Sequence, residues 1–364
     1  MNASTDFART YTELEQDPQA AARQAAGAGV RVIGHVGDGV PVALLLAAGA
    51  LPVRLRGRPD ADTSRADAFV ESSFPTEHRV IASQWLAGDL DHLDAVVFAR
   101  GDDAGQRLYY YLCELQRRGL CAGPRALLFD GAGLSRAASL EHTRASVRLL
   151  ANELGADADS LPGALERLAA RTRVLDQARE QGRAGEALAG SFIWRLQFIA
   201  DCDGREDFAE RARQWIRQAP RMTAPRRVLL SGDQLPDDRM HLELERVGAS
   251  VVMELTGSSV ATPDSARDPL DAIADATRCC ESPALSMRRD ARWLADAARA
   301  HRIDSAVLWL SEQDEALPWE IARQVRELRA DGVPTLLLAR QPWRITAATL
   351  EQVTSFIQNP GSSS

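Results

Sequence analysis

The sequence predicts an α/β fold of two Rossmann-like parallel-sheet domains flanking a helical region, with a cleft between them. Three observations predict it. Short apolar runs rich in β-branched residues alternate with helix-period segments toward both ends of the chain. The central part has the Ala, Leu, Arg and Glu content of helices and no strand pattern. The strand and helix order of the first part recurs in the last.

Residues 1–29 read as a polar, helical extension, and the first α/β domain spans 30–134. Its strands are Val30 to Gly34, Leu51 to Leu55, Ala95 to Ala99 and Ala126 to Asp130. Val40 to Ala50 and Asp103 to Arg118 are its helices, the second with Leu108, Tyr111, Leu112 and Leu115 on one side. Helices of that length between strands make crossover units and a parallel sheet. The helical region spans 135–225, with Leu161 to Ala189 as one long helix or two and Pro220 to Pro225 as a linker. Trp194, Phe198, Phe208, Trp215 and Ile216 fit apolar helix faces and are read as core. The second α/β domain, 226–358, has strands Arg227 to Gly232, Ser250 to Leu255, Ala306 to Ser311 and Thr335 to Ala339. Helices Met240 to Val247, Arg289 to His301 and Trp319 to Ala330 separate them, and 359–364 is a disordered tail.

Composition narrows the function. The chain has 364 residues, 45% hydrophobic and 26% charged, enough for two or three cores and unlike collagen or a disordered chain. There is no lysine, so all 43 basic residues are arginine. A Schiff-base lysine and a phosphate-loop lysine are therefore excluded. The net charge of −8 argues against a nucleic-acid partner. The polar, acid-bearing N-terminus lacks the pattern of a signal peptide, and no apolar run approaches the roughly 20 residues of a membrane span. Five cysteines, Cys113, Cys121, Cys202, Cys279 and Cys280, are an odd and badly spaced set for disulfides, which points to a reducing cytoplasm.

Several constellations are candidates for chemistry. Gly34-His35-Val36-Gly37-Asp38-Gly39 follows a strand and precedes a helix, where backbone amides can cradle an anion. Its G-x-x-G-x-G order is not the dinucleotide fingerprint, and a turn that needs positive φ explains the glycines equally well. Ser231-Gly232 and Gly257-Ser258-Ser259 are similar small-residue turns in the second half. Asp102-Asp103 opens a helix, where capping and the helix dipole favour carboxylates, and Asp103 and Arg107 are spaced to pair across one turn. Glu312 and Asp314 follow the equivalent strand of the second half. If both loops face the cleft, His35, Asp102 and Glu312 converge as acid, base or hard-metal ligands. No zinc pattern, H-x-x-x-H pair or G-x-S-x-G elbow occurs.

The run GHVGDGVPVALLLAAGALPVRLRG at Gly34 to Gly57 resembles the D-component family of 2-hydroxyacyl-CoA dehydratases, which includes benzoyl-CoA reductase subunits. Leu93 to Val97, Asp103 to Leu108, Arg227 to Gly232, Val247 to Val252, Asp268-Pro269-Leu270, Asp304 to Val307 and Gly332-Val333-Pro334 match its later segments in order. The resemblance runs from about Val30 to Ile357. It implies two Rossmann-like domains, pseudo-symmetric dimers with itself or a paralogue, an acyl-CoA or other anionic ligand, and a [4Fe–4S] cluster held by three cysteines. It places those cysteines near Phe74-Pro75, immediately before Asp103, and in the segment Glu312 to Glu315, with a further one at Gly37. This chain has Ser72-Ser73-Phe74-Pro75-Thr76 at the first place, Asp102 at the second, and no cysteine at the third or at Gly37. Thiolates stabilise iron–sulfur clusters and carboxylate oxygens are poor substitutes, so the expectation is no cofactor. A cluster is expected only if other residues replace the family's ligands. The leading expectation is a cluster-less structural or regulatory subunit beside a cluster-bearing paralogue. The alternatives are an iron-free enzyme acting on an acyl thioester and a genuine dehydratase or reductase subunit.

Overall fold

A computed structural model describes residues 3–101, 103–132, 136–184, 187–223, 226–256, 263, 267–278, 291–314 and 318–360. The chain divides into two compact units: Met1–Val174 with Phe198–Trp215 and Ser259–Glu281, and Leu175–Gln197 with Ile216–Ser258 and Ser282–Ser364.

The first unit carries a four-stranded parallel sheet of β1 (Val32–Val36), β2 (Leu51–Arg54), β3 (Ala95–Ala99) and β4 (Arg125–Phe129), in the order β2-β1-β3-β4. Both faces are covered, which is why its strands read as apolar runs rather than alternations. Ile33, Val97, Leu127 and Phe129 pack with residues of α3 (Val42–Ala47), α7 (Ala137–Leu154) and α12 (Pro269–Arg278) on one face. Val32, Val36, Val96 and Phe98 pack with residues of α2 (Ala20–Gly27), α5 (Thr76–Ala87) and α6 (Asp103–Arg117) on the other. The remaining helices of this stretch are α1 (Ala3–Gln16) and α4 (Ser64–Asp67).

The chain enters the helical region through α8 (Leu161–Gly182) and continues in α9 (Gly190–Cys202) and α10 (Phe208–Gln218). The part of it within the first unit is tied down by buried ions. Arg56, only 3% exposed, pairs with Glu77 and with Asp201 at 3.3 and 3.1 Å. Arg171 donates to the backbone carbonyls of Ala200 and Asp203, and the Asp203 carboxylate takes Arg205 and Arg211. Ions so far out of water persist only when paired in this way. At Gly204 a Cβ would lie 2.2 Å from the Pro52 carbonyl oxygen, so only glycine lets this loop reach β2.

The second unit repeats the first sheet's plan. Strands β7 (Arg226–Gly232), β8 (Ala249–Thr256), β9 (Ser305–Ser311) and β10 (Thr335–Gln341) are parallel in the order β10-β9-β7-β8. Leu229, Ala306 and Leu308 face residues of α13 (Ala291–Ala300) and α14 (Pro318–Ala330). Val228, Leu230, Val307 and Trp309 face α11 (Arg239–Arg246) and α15 (Ala347–Gln358).

Four expectations are corrected. The first strand starts at Val32 rather than Val30, because the Val30 N–H is bonded to the Ala25 carbonyl at the end of α2 and Gly29 turns the chain at φ 79°. Val40 to Ala50 is helical only over Val42–Ala47, between Pro41 at its start and Gly49 at φ 71°. The region without a strand holds one: β5 (Ala187–Leu188) pairs antiparallel with β6 (Arg221–Met222), which takes two residues of the expected linker. The helix over Leu161 to Ala189 is single and stops at Gly182. The tail from 361 and the start of the Arg289 to His301 helix lie outside the described residues.

Candidate functional site

In each sheet the first strand has its sequence neighbour on one side and the third strand on the other. The connections leave the carboxyl ends of those two strands in opposite directions, and in such sheets that crevice is where ligands sit. The crevice lies between β1 and β3 in the first unit, and between β7 and β9 in the second.

The first crevice opens at Gly37-Asp38-Gly39. Gly34, His35 and Val36 belong to β1, so the six-residue glycine motif is half strand. Gly34 is glycine for packing: a Cβ there would sit 3.1 Å from Leu93 and 3.2 Å from Leu55 and Val96. Gly37 and Gly39 are left-handed at φ 80° and 89°. Between them the Asp38 carboxylate accepts a hydrogen bond from Arg54 Nη1 at 2.7 Å. Arg54 stands beside His35 in the β1–β2 register. Burial, and after it the Arg54 charge, press the His35 imidazole down to about 3, and its Nδ1 has no partner. His35 is thus neutral at physiological pH and too weak a base for proton transfer there.

Asp103 opens α6 with its side chain largely in solvent, and Arg107 lies 3.8 Å from it across one turn. Arg107 does more in the other direction. Its guanidinium reaches Glu71 at 3.3 Å and Ser73 at 3.4 Å, and stacks 4.2 Å above the Phe74 ring. Tyr111 donates to Glu71 at 2.5 Å and packs edge-on to Phe74, which is fully buried. Segment 71–74 is therefore clamped against α6 by a cation, a phenol and an aromatic ring.

The second crevice differs in charge. Ser231 is buried with no partner for its Oγ. Gly232 adopts φ 121°, and a Cβ there would lie 1.9 Å from the Trp309 carbonyl oxygen. The next residue, Asp233, donates its N–H to that carbonyl at 2.9 Å, and its Oδ2 accepts the Ser311 N–H at 2.6 Å. Its carboxyl is also hydrogen-bonded to that of Asp314. Burial first, and then the second carboxyl, push Asp233 up to about 8, so the pair holds a proton through neutral pH. Glu312, the acid expected at this loop, is exposed and, among the described residues, accepts from Gln313. Asp314 is the one that turns inward. A signal for Asp233 was present in the sequence: a Gly-Asp pair follows the first strand in both halves, Gly37-Asp38 and Gly232-Asp233.

Asp102, Gly257, Ser258 and Ser259 lie outside the described residues. His35 belongs to the first unit and Glu312 to the second.

The profile of the 2-hydroxyglutaryl-CoA dehydratase D-component matches residues 39–357. The chain belongs to this D-component family. No curated protein matches it. Both switch-point crevices fall within or against the matched span, as do the three places that the resemblance assigns to cluster thiolates.

A D-component's cluster would need thiolates converging at a strand end, and the donors among the described residues do not fit it. Burial raises Cys113, Cys121 and Cys202 above the ordinary thiol range, and Cys202 is wholly enclosed in α9. Cys279 and Cys280 lie outside the described residues. Among the described residues no three His, Cys, Asp or Glu side chains are grouped to hold a metal ion. Nor, among them, is any helix long and apolar enough to cross a membrane.

Proposed function

We propose that this D-component works without an iron–sulfur centre, as a structural or regulatory subunit paired with a cysteine-bearing paralogue. The observation that carries this is the clamp of Arg107, Phe74, Tyr111 and Glu71, where the resemblance places the first thiolate. A buried phenylalanine under a guanidinium offers no ligand to iron. The acid pair of Asp233 and Asp314 lies by the third such place, and there too no sulfur is offered. An acyl-CoA is the ligand class this subunit retains in the proposal, and the cytoplasm its compartment. The test is affinity purification of the tagged chain from its own cells, with mass spectrometry of what accompanies it. A stoichiometric family member carrying the missing cysteines supports the reading; a chain that purifies as a homo-oligomer and dehydrates 2-hydroxyacyl-CoA unaided overturns it.

One observation favours a second reading, in which the chain acts on an acyl thioester by proton transfer. Asp233 is a neutral carboxyl at the end of β7, able to donate a proton to a developing oxyanion. In that case the isolated chain has activity of its own, and Asp233→Asn removes it while Glu312→Gln leaves it.

A further inference from the structure

The outer helices of the second unit carry a solvent face of unusual composition. α13 and α14 pack side by side over one face of the sheet. Arg299, near the end of α13, reaches Asp331 just past the end of α14, so the two helices run in the same direction. Leu294 and Ala298 of the first and Ile321 and Leu328 of the second lie in the core. Another side of α14 carries Trp319, Ala322, Arg323 and Arg326, spaced i, i+3, i+4 and i+7 and all exposed. Trp319 is 85% exposed, more than any other large apolar side chain among the described residues, and Trp293 on α13 is 47% exposed. Scattered exposed hydrophobes are ordinary, but an indole left almost wholly in water, with a second on the adjoining helix, marks an interaction surface.

Arg326 is set apart too. Exposed helical arginines elsewhere pair with an acid three residues earlier: Arg117 with Glu114, Arg213 with Glu210, Arg246 with Glu243 and Arg299 with Asp296. The residues three and four positions from Arg326 are Ala322, Arg323, Arg329 and Ala330, so its own helix offers it no acid.

We propose that this face of α14 pairs with the same face of a second copy of the chain, the two helices antiparallel. A two-fold axis passing beside Ala322 sets Trp319 of each copy against Arg326 of the other, because the two residues lie at equal distances on either side of it. The guanidinium stacks on the indole, and the contact is made twice. Each side chain supplies what the other lacks: the ring leaves water and the cation gains a partner. Ala322 meets its own copy at the axis, where a small side chain lets the helices approach. Arg323 also meets its own copy, and that repulsion between exposed charges is weaker than two cation–π contacts. Two helices about 20 Å long, lying side by side, offer roughly 400 Å² per copy. That is the small end of specific interfaces, so the dimer dissociates in the micromolar range. The pairing is independent of the iron-free reading: it uses neither crevice, and a homodimer without dehydratase activity leaves that reading standing.

The test is sedimentation equilibrium of the isolated full-length chain from about 1 to about 200 µM. A monomer–dimer equilibrium with a Kd of about 1–100 µM is expected. Trp319→Ser should leave only monomer over that range, and Arg326→Gln should weaken the dimer about tenfold. Both variants should keep the parent's Tm, since both side chains are exposed. Leu242→Ser, at an exposed apolar position on α11, should leave the dimer unchanged. Ala322→Cys should form an intermolecular disulfide on mild oxidation that Ala330→Cys, at the end of the same helix, does not. A chain that stays monomeric throughout overturns the proposal. So does a dimer that Trp319→Ser or Arg326→Gln leaves as tight as the parent, or one in which Ala322→Cys crosslinks no better than Ala330→Cys. If the chain alone is monomeric and Trp319→Ser instead releases a cysteine-bearing paralogue, the face belongs to that paralogue and self-pairing is wrong.

Discussion

The two sheets share one strand order and place a Gly-Asp pair at the same point, yet the two aspartates face opposite partners. Asp38 meets the guanidinium of Arg54 at 2.7 Å, while Asp233 meets a second carboxyl, that of Asp314. A shared backbone plan thus leaves the electrostatics of a switch point undetermined; one side chain from a neighbouring segment sets it. In the first unit the crevice is an internally neutralised ion pair, whereas in the second it stores a proton. The glycines differ as well. Gly37 takes a left-handed φ of 80°, and Gly232 is needed because the Trp309 carbonyl occupies the space of any Cβ.

That difference can be broken by substitution. The largest effect is expected at Gly232: Gly232→Ala must move backbone against backbone and should cost about 3 kcal/mol or more. Gly37→Ala should cost about 1–2 kcal/mol, the ordinary penalty of a left-handed residue with a Cβ. Urea unfolding of both variants measures the gap, and equal losses would show that the close approach of Trp309 is not what fixes Gly232.

Next comes one substitution made at both aspartates. Asp38→Asn leaves Arg54, with 17% of its side chain exposed, short of its nearest acid, and should destabilise by about 2 kcal/mol. Glu77 and Asp201 still act on that guanidinium and keep the loss below that of a fully orphaned ion. Asp233→Asn should do the reverse at pH 8, raising or preserving stability, because it replaces a carboxyl that resists ionisation with a neutral amide.

The pH dependence of this same residue has a sign opposite to that of most folded carboxylates. Asp233 keeps its proton in the folded chain up to about 8, while in the unfolded chain it is lost near the ordinary carboxylate value. Between those two values the folded state binds more protons, so the contribution of this residue falls as pH rises toward 8. The Tm difference between the wild type and Asp233→Asn should therefore shift steadily in favour of the variant from pH 5 to 8. A difference independent of pH over that range would mean that Asp233 is ionised throughout.

The strands were legible in the sequence because both sheet faces are buried, and Ala95–Ala99 or Ser305–Ser311 then stand out as continuous apolar runs. The α6 face and the Asp103–Arg107 pairing were legible from helical spacing. The two-residue β5–β6 pair was not, since it is too short for a period and joins residues more than thirty apart. The acid pair was half legible. Asp314 was visible in its loop, but its partner lies eighty-one positions earlier and only the fold brings them together. The Arg107 clamp on Phe74 is of the same kind: local spacing predicted the weaker contact, to Asp103, and missed the stacking across the sequence.

The central claim is that this D-component holds no iron–sulfur centre, and its most direct test is elemental. The chain should be expressed and purified under strict anaerobiosis, with iron and acid-labile sulfide measured per chain and the absorbance near 400 nm recorded. The expected result is a colourless protein with iron and sulfide near zero. A brown protein with about four irons and four sulfides per chain, retained through gel filtration, would contradict the account.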